Sequence, residues 1–257
     1  MEHESNWLAL VVGNSRLHWA WFKHLTLIET WDTNHLAISV KPDHVPHLFL
    51  HSDLVRQNRT SLSIYLASVV AEQTRYWQNY SDITSIGLKD TKLTNVYPTM
   101  GVDRALAAWG AFSSYKQACL VIDGGTALTF TGVDETGKLI GGAILPGLRS
   151  QLLSLKRKTS ALPEVCLPDT LPPRWALNTD TAIASGILYT ATAGIYSYIN
   201  DWLQQFPQSK IIFTGGDGAI LSRFLLQQFP DLIGKTAIEP DLVFKGVKLV
   251  YQQKNPE

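Results

Sequence analysis

Two stretches of the chain, residues 8–15 and 120–126, share a pattern in which an apolar run of β-forming residues ends at a glycine-containing turn. The alternation around each turn predicts a β-meander of three consecutive antiparallel strands. Strands are expected at residues 7–12, 17–22 and 25–31 in the first meander, and at 118–123, 127–133 and 139–145 in the second. The repeat predicts two related halves, residues 1–115 and 116–257.

Other segments show helical spacing or short apolar runs. We predict helices at residues 71–80, 102–115, 147–155, 179–203 and 219–228, and strands at residues 63–70 and 210–214. Small residues recur in the helices at 102–115 and 179–203, so each is expected to pack closely, the second at an interface. Proline-rich residues 159–174 predict a loop, whereas residues 42–56 indicate mixed loop and helix.

Composition narrows the class of protein. The 257 residues are 45% hydrophobic, which is enough for one large core or two medium ones. With 22 basic and 22 acidic residues the net charge is zero, which disfavours nucleic acid or an anionic membrane as partner and favours a small molecule. The polar N-terminus has no signal-peptide or membrane-span pattern. With only Cys119 and Cys166 present, these features predict a protein of the reducing cytoplasm.

The two glycine turns are candidate phosphate-binding sites. A glycine turn lets the backbone approach a polyanion closely, and turns from two related halves can face each other across a nucleotide cleft. Neither a lysine-containing P-loop nor a dinucleotide-binding fingerprint occurs in the chain. Taken alone, each copy is more simply explained as an ordinary hairpin turn, and only its combination with other motifs favours phosphate binding.

Six motifs, spread in order over most of the chain, carry a family resemblance. They lie at residues 11–15, 101–104, 123–126, 141–147, 178–179 and 214–216, and Tyr97 precedes the second motif. In these motifs the chain resembles the type III pantothenate kinases, in the superfamily of acetate and sugar kinases, Hsc70 and actin. The resemblance implies an α/β fold of two tandem ribonuclease H-like domains with an interdomain nucleotide cleft. It also implies phosphorylation of pantothenate by ATP, the first step of coenzyme A synthesis.

The same resemblance implies roles for single residues. Asp103 corresponds to the general base that accepts the proton of the substrate hydroxyl. The matching substrate contacts are Tyr97, Gly101, Val102, Asp103, Arg104 and Thr179. The matching nucleotide contacts are Val11, Val12, Gly13, Asn14, Ser15, Arg16, Leu17, His18 and Thr126. Asp123 corresponds to the site of a monovalent cation, potassium or ammonium, and ATP is expected to bind with magnesium. Family members act as homodimers with the substrate pocket at the subunit interface.

Two positions depart from the family pattern. Val11 stands where the first motif has an aspartate that helps to hold the divalent ion of the nucleotide, and His18 stands where a lysine is usual. Magnesium often keeps most of its water and takes few protein ligands, so an active enzyme with a weakened nucleotide site is the favoured interpretation. The alternatives are a non-catalytic relative that binds a ligand or acts as an accessory regulatory factor, and a kinase for a sugar or a short acid.

Residue chemistry without the resemblance leaves other interpretations open. Asp103 would also serve as the cap of the following helix, with Arg104 paired to a surface carboxylate. Asp123 would equally cap its own turn. Five histidines lack metal-ligand spacing and are assigned no function: His24, His35, His44, His47 and His51.

Overall fold

The structure is a computed structural model that describes residues 6–43, 45–46 and 62–256. These residues form two compact units. The first comprises the described residues up to Lys92 with 96–110 and 243–256, and the second comprises 93–95 and 111–242. The division of the chain into halves at residues 1–115 and 116–257 stays a prediction.

The strands of the described residues follow the predicted meanders closely. They are β1 (Asn6–Val12), β2 (Leu17–Lys23), β3 (Thr26–Thr33), β4 (Ser63–Ser68), β5 (Ile83–Ile86), β6 (Cys119–Gly124), β7 (Ala127–Val133), β8 (Leu139–Pro146), β9 (Lys210–Thr214) and β10 (Thr236–Ile238). The helices are α1 (Ala71–Trp77), α2 (Val102–Tyr115), α3 (Leu148–Lys158), α4 (Thr179–Gln205), α5 (Gly218–Gln228) and α6 (Leu242–Lys254). Short 3-10 helices lie at Leu88–Asp90 and Pro230–Leu232.

The first unit contains a five-stranded sheet in the order β3-β2-β1-β4-β5. Strands β1, β2 and β3 are antiparallel, and β4 and β5 run parallel to β1. One face of β1 and β2 contributes Leu8, Leu10, Trp19 and Trp21 to an apolar core that Trp77 of α1 completes. Burial of these large side chains holds the meander on its helix.

The second unit contains a five-stranded sheet in the order β10-β9-β6-β7-β8. Read from β8 to β10, this order repeats the topology of the first sheet. Its meander is antiparallel, and β9 and β10 are parallel to β6. The core of this unit packs β6 and β7 against one face of α4, which contributes Leu188, Ile195, Ile199 and Trp202. The expected duplicated α/β fold is therefore confirmed. No helix in the described part of the chain combines the length and apolarity needed to cross a bilayer.

Helix α2 packs closely against α6, as the sequence predicts for α2. Gly246 of α6 lies directly on the backbone of Leu106, so that any side chain at position 246 would overlap the Leu106 carbonyl. In the same unit the Trp7 ring is stacked between Phe22 and Tyr251, with both ring centroids 4.2 Å away. The C-terminal helix α6 is therefore part of the first unit's core.

Three elements were not predicted from the sequence, namely β5, β10 and α6. The two strands are only four and three residues long, so neither shows a usable alternation. Helix α6 contains β-branched residues and Gly246, which lower helix propensity. The predicted strand at 63–70 and helix at 71–80 end earlier, at Ser68 and Trp77. The prediction for residues 42–56 lies mostly outside the described residues.

Candidate active site

The first glycine turn joins β1 to β2. The Gly13 N–H donates to the carbonyl of Arg16 at 3.0 Å, and the Gly13 carbonyl accepts a hydrogen bond from Nε2 of His35 at 2.8 Å. Asn14 and Ser15 are exposed at its tip. The His35 imidazole therefore holds the backbone of the turn, while the short polar side chains at the tip remain accessible to a ligand.

His18 lies over this turn. A Cβ atom built on Gly13 would be only 3.2 Å from Nε2 of His18, so glycine leaves room for the ring. On the other side of the ring, Nδ1 is 2.7 Å from Oδ1 of Asp32. An ionised carboxylate only accepts hydrogen bonds, so Nδ1 is the donor. Arg16 Nη1 approaches the second carboxylate oxygen at 3.7 Å.

The position of Val11 explains how His18 and Asp32 relate to the departure from the family motif. Val11 is directly opposite His18 across β1 and β2, and His18 is directly opposite Asp32 across β2 and β3. Directly opposed residues point to the same face of a sheet. Val11, His18 and Asp32 therefore form a row, which we call the cross-strand row. Val11 itself is 3% exposed.

Asp103 lies in the first turn of α2, where its Oδ1 accepts the N–H of Arg104 at 2.7 Å. Burial raises the pKa of Asp103 above its ordinary value, although the Arg104 amide and guanidinium, its own amide and the His18 ring all act to lower it. The carboxylate thus bonds its own helix, as the capping interpretation expects. Its raised pKa also makes the ionised form a better proton acceptor.

The carboxylate of Asp103 is closely confined by Gly101. A Cβ atom on Gly101 would lie 2.5 Å from Asp103 Oδ1 and 3.6 Å from Cγ1 of Val69. The Gly101 carbonyl accepts the N–H of Ala105 at 3.1 Å and so begins the helix. A glycine is therefore needed at this position to leave space for the carboxylate.

Arg104 and Tyr97 form a second polar pair beside Asp103. Nη1 of Arg104 donates to the Tyr97 hydroxyl at 3.0 Å. The arginine is 8% exposed, whereas Tyr97 is 39% exposed. Val102, the first residue of α2, is buried. The structure therefore brings five of the predicted substrate contacts together around the start of one helix.

The second glycine turn follows β6 in the second unit. The Gly124 carbonyl accepts the N–H of Asp217 at 2.8 Å, and the Thr126 carbonyl accepts the N–H of Gly147 at 2.9 Å. Thr126 itself is exposed. Three chain segments thus converge on this turn through backbone hydrogen bonds, which fixes its shape.

The carboxylate of Asp123 lies close against the backbone of Gly215. Gly215 has a φ of +79°, and a Cβ on it would overlap Asp123 Oδ1 and lie 2.8 Å from the Gly124 carbonyl oxygen. A carboxylate and a carbonyl oxygen both lie against this glycine, and oxygen ligands of this kind are the ones that a hard cation takes. The residues present therefore fit the monovalent cation that the resemblance implies.

Arg149 and Asp217 form an ion pair next to the same turn, with Arg149 Nε donating to Asp217 Oδ1 at 3.0 Å. The Asp217 side chain is 6% exposed and that of Arg149 is 70% exposed. Among residues 6–43, 45–46 and 62–256, no cluster of three or more His, Cys, Asp or Glu side chains could hold a metal ion.

Thr179 begins α4 in the second unit and is exposed. The preceding Asn178 caps the helix, because its Oδ1 accepts the N–H of Thr181 at 2.9 Å. Asn178 and Thr179 line a shallow cleft of about 590 Å³. The structure thus places Thr179 at an accessible helix start.

Sequence reasoning missed four polar residues of these sites. The place of Asp32 in the site depends on the register of two strands, and that of Asp217 depends on how the second turn folds. Neither place can be predicted from sequence spacing alone. Arg149 lies two residues after a predicted motif, which was a usable signal. His35 was assigned no function, yet it anchors the first turn. His44, His47 and His51 lie outside the described residues.

Comparison with known proteins begins with structures of similar fold. A protein described as a transcriptional activator of the Baf family from Campylobacter jejuni has a structure with a TM-score of 0.61 at 20% identity, covering 96% of this chain and 98% of that one. A protein described as a 2-dehydro-3-deoxygalactonokinase from Sinorhizobium meliloti has a TM-score of 0.59 at 12% identity, covering 98% and 97%. At such identities the likeness shows the fold alone.

Sequence relatives are more specific. A type III pantothenate kinase from Nostoc sp. strain PCC 7120 is 42% identical over 96% of this chain and 95% of its own length. The family model for type III pantothenate kinase matches residues 7–201, which include all the predicted site residues. The chain belongs to the type III pantothenate kinase family.

Proposed function

We propose that this protein transfers the γ-phosphoryl group of ATP to the primary hydroxyl of pantothenate. The products are 4′-phosphopantothenate and ADP, and the reaction is the first step of coenzyme A synthesis. Family membership supports the reaction class. The observation that carries the proposal for this chain is the confined carboxylate of Asp103, whose pKa is raised by burial beside Arg104.

Asp103 acts as the general base. The pantothenate hydroxyl gives its proton to the carboxylate as its oxygen attacks the γ-phosphorus, and the bond to the β-phosphate oxygen breaks to release ADP. Phosphoryl transfer depends on positioning and charge stabilisation more than on covalent chemistry. Confinement by Gly101 and the bond from the Arg104 amide hold the accepting oxygen in one place.

Arg104 and Tyr97 bind the substrate. The Arg104 guanidinium has five N–H donors, of which one goes to Tyr97, and its positive charge suits the carboxylate of pantothenate. The partly exposed Tyr97 offers its ring and hydroxyl from the same side. This pair therefore selects an acid substrate.

The two glycine turns bind the nucleotide. The first turn offers the backbone amides of Gly13, Asn14 and Ser15 to the phosphates, and the second offers those around Thr126. Magnesium on the nucleotide and a monovalent cation at Asp123 supply positive charge that offsets the charge of the polyphosphate. Asp123 and the Gly124 carbonyl would hold the monovalent ion.

We further propose that the protein is a cytoplasmic homodimer, with Thr179 contributing to the substrate pocket at the subunit interface. Large apolar side chains next to Thr179 support this, since Trp175 is 88% exposed and Leu177 is fully exposed. Such side chains on one segment are typical of protein contacts. Light scattering should give twice the chain mass, and Leu177→Asp should give the monomer.

The test of the reaction is formation of phosphopantothenate by the purified protein with ATP and magnesium, detected by mass spectrometry. The assay is run with potassium, with ammonium and with neither. Product that depends on the monovalent ion supports the proposal, and Asp123→Ala should remove that dependence. Absence of product from folded protein under every ion would refute it and favour a relative that only binds ligand.

A further inference from the structure

The cross-strand row changes the chemistry at the first phosphate turn. Where the resemblance expects an aspartate, Val11 offers no ligand for a metal ion or a phosphate. The nearest carboxylate of the row, Asp32, lies two strands away, and His18 stands between them with Nδ1 bonded to that carboxylate. The family's acidic position is thus apolar in this chain, and the position of the usual lysine carries an imidazole that is held by the Asp32 carboxylate.

We propose that His18, oriented by Asp32, donates a hydrogen bond from Nε2 to a phosphate oxygen of the bound nucleotide. Asp32 is a positioning residue, because it bonds Nδ1 and leaves Nε2 over the Gly13 turn. The inference rests on the proposed nucleotide binding at that turn. It deepens that proposal by naming the ring atom that contacts phosphate and the residue that positions the ring.

The surroundings of the ring suit this role. Its side chain is 42% exposed, so a ligand at the turn can reach Nε2. The charged and titratable groups around it are Arg16 in the turn before β2, Asp32 on β3, His35 behind the turn and Asp103 on α2. A hydrogen bond to an ionised phosphate oxygen is charge-assisted and is among the stronger hydrogen bonds.

A specific consequence concerns magnesium. An ionised aspartate at position 11 would be repelled by phosphate and would need a cation between them, whereas a ring N–H of His18 donates to a phosphate oxygen without one. Nucleotide binding by this protein should therefore persist when magnesium is removed, and the affinity measured without magnesium should depend on His18.

The test is calorimetric titration with adenylyl imidodiphosphate, a non-hydrolysable ATP analogue, in magnesium and in EDTA. Four proteins are compared with the wild type: His18→Asn, Asp32→Asn, the double variant and Asp43→Asn. Asparagine at position 18 still reaches Asp32 but lacks a donor at the Nε2 position. Asp43 is a matched control, because it is an exposed aspartate that accepts a side-chain hydrogen bond from Ser81 at 2.7 Å.

We expect His18→Asn to weaken binding about tenfold in magnesium and by a larger factor in EDTA, since a charge-assisted hydrogen bond is lost. Asp32→Asn should weaken binding about tenfold in the wild-type background and have no further effect in the His18→Asn background. Asp43→Asn should bind as the wild type does, and unfolding midpoints should show that every variant is folded.

Equal affinity of wild type and His18→Asn would overturn the inference, as would an effect of Asp32→Asn that persists without His18. These outcomes are separate from the fate of the kinase reaction. A wild type that binds the analogue but forms no phosphopantothenate would refute the reaction and leave the inference standing. A wild type that binds no nucleotide at all would overturn both.

Discussion

Replacing Gly101 by alanine tests whether the exact position of the Asp103 carboxylate matters for turnover. The added Cβ would lie 2.5 Å from Oδ1, whereas ordinary van der Waals contact begins at 3.4 Å. The carboxylate must therefore move by about 0.9 Å, and a misplacement of about 1 Å in a reacting group can cost roughly a hundredfold in rate. We expect kcat to fall by about that factor.

The cost to folding should be small by comparison. The obstructed atom is the end of a rotatable side chain, and Gly101 is not among the glycines with positive φ, so alanine is sterically allowed in the backbone. Loss of the 2.7 Å bond from the Arg104 amide should lower the free energy of unfolding by about 1 kcal/mol. Activity and stability therefore respond very differently.

The assay combines steady-state kinetics with urea unfolding, and Gly87→Ala is the matched control. A Cβ on Gly87 would lie 3.9 Å from Oδ2 of Asp90, so this variant also adds a methyl group near an aspartate but displaces nothing. If Gly101→Ala and Gly87→Ala have the same kcat, the position of the Asp103 carboxylate does not limit the reaction and the reasoning fails.

Four further predictions rest on the described contacts. Asp103→Asn should abolish turnover yet raise the unfolding midpoint at neutral pH. The folded pKa of Asp103 lies above its ordinary value of 3.8. The stability that the carboxyl group contributes is therefore present below pH 3.8 and is lost as the pH rises through the folded pKa. For the same reason the acid limb of the wild-type kcat/KM profile, which reports the free enzyme, should lie above pH 3.8, and a limb at or below that pH would contradict the assignment of the base. Arg149→Ala should lower the free energy of unfolding by about 1–2 kcal/mol because buried Asp217 loses its ion-pair partner. The loss is modest because the arginine is largely exposed. Urea unfolding measures it, with the exposed Lys156→Ala variant as the control. Gly215→Ala should lower the unfolding midpoint and weaken binding of the ATP analogue. Its φ is +79°, and the added Cβ would overlap the carboxylate of Asp123, which precedes the second turn. Unchanged calorimetric affinity would count against that turn as a nucleotide site.

The sequence predicted most of the fold because the meanders carry long apolar runs with glycine or polar turns between them. Strand β7 and helix α2 lie where the pattern places them, at 127–133 and 102–115. The elements that were missed are those whose stability comes from packing. Helix α6 is held by Trp7 and by the close approach to Leu106, and neither contact can be inferred from local propensity.

The candidate site was predictable where its residues are neighbours in sequence. Gly101, Asp103 and Arg104 lie within one turn of helix, so their proximity follows once the helix is assigned. The link between His18 and Asp32 was not predictable, because it depends on the pairing register of two strands. A shift of one residue in that register would place Asp32 on the opposite face of the sheet.

The stacking of Tyr251 on Trp7 has a consequence for synthesis of the protein on the ribosome. The first strand emerges from the ribosome well before the aromatic ring that covers it, because Tyr251 follows the second unit in the chain. The second unit, which is encoded between the two, can fold while the chain is still being elongated. Until then the indole of Trp7 lacks one of its two stacking partners, and the nascent chain offers a hydrophobic surface for chaperones to bind.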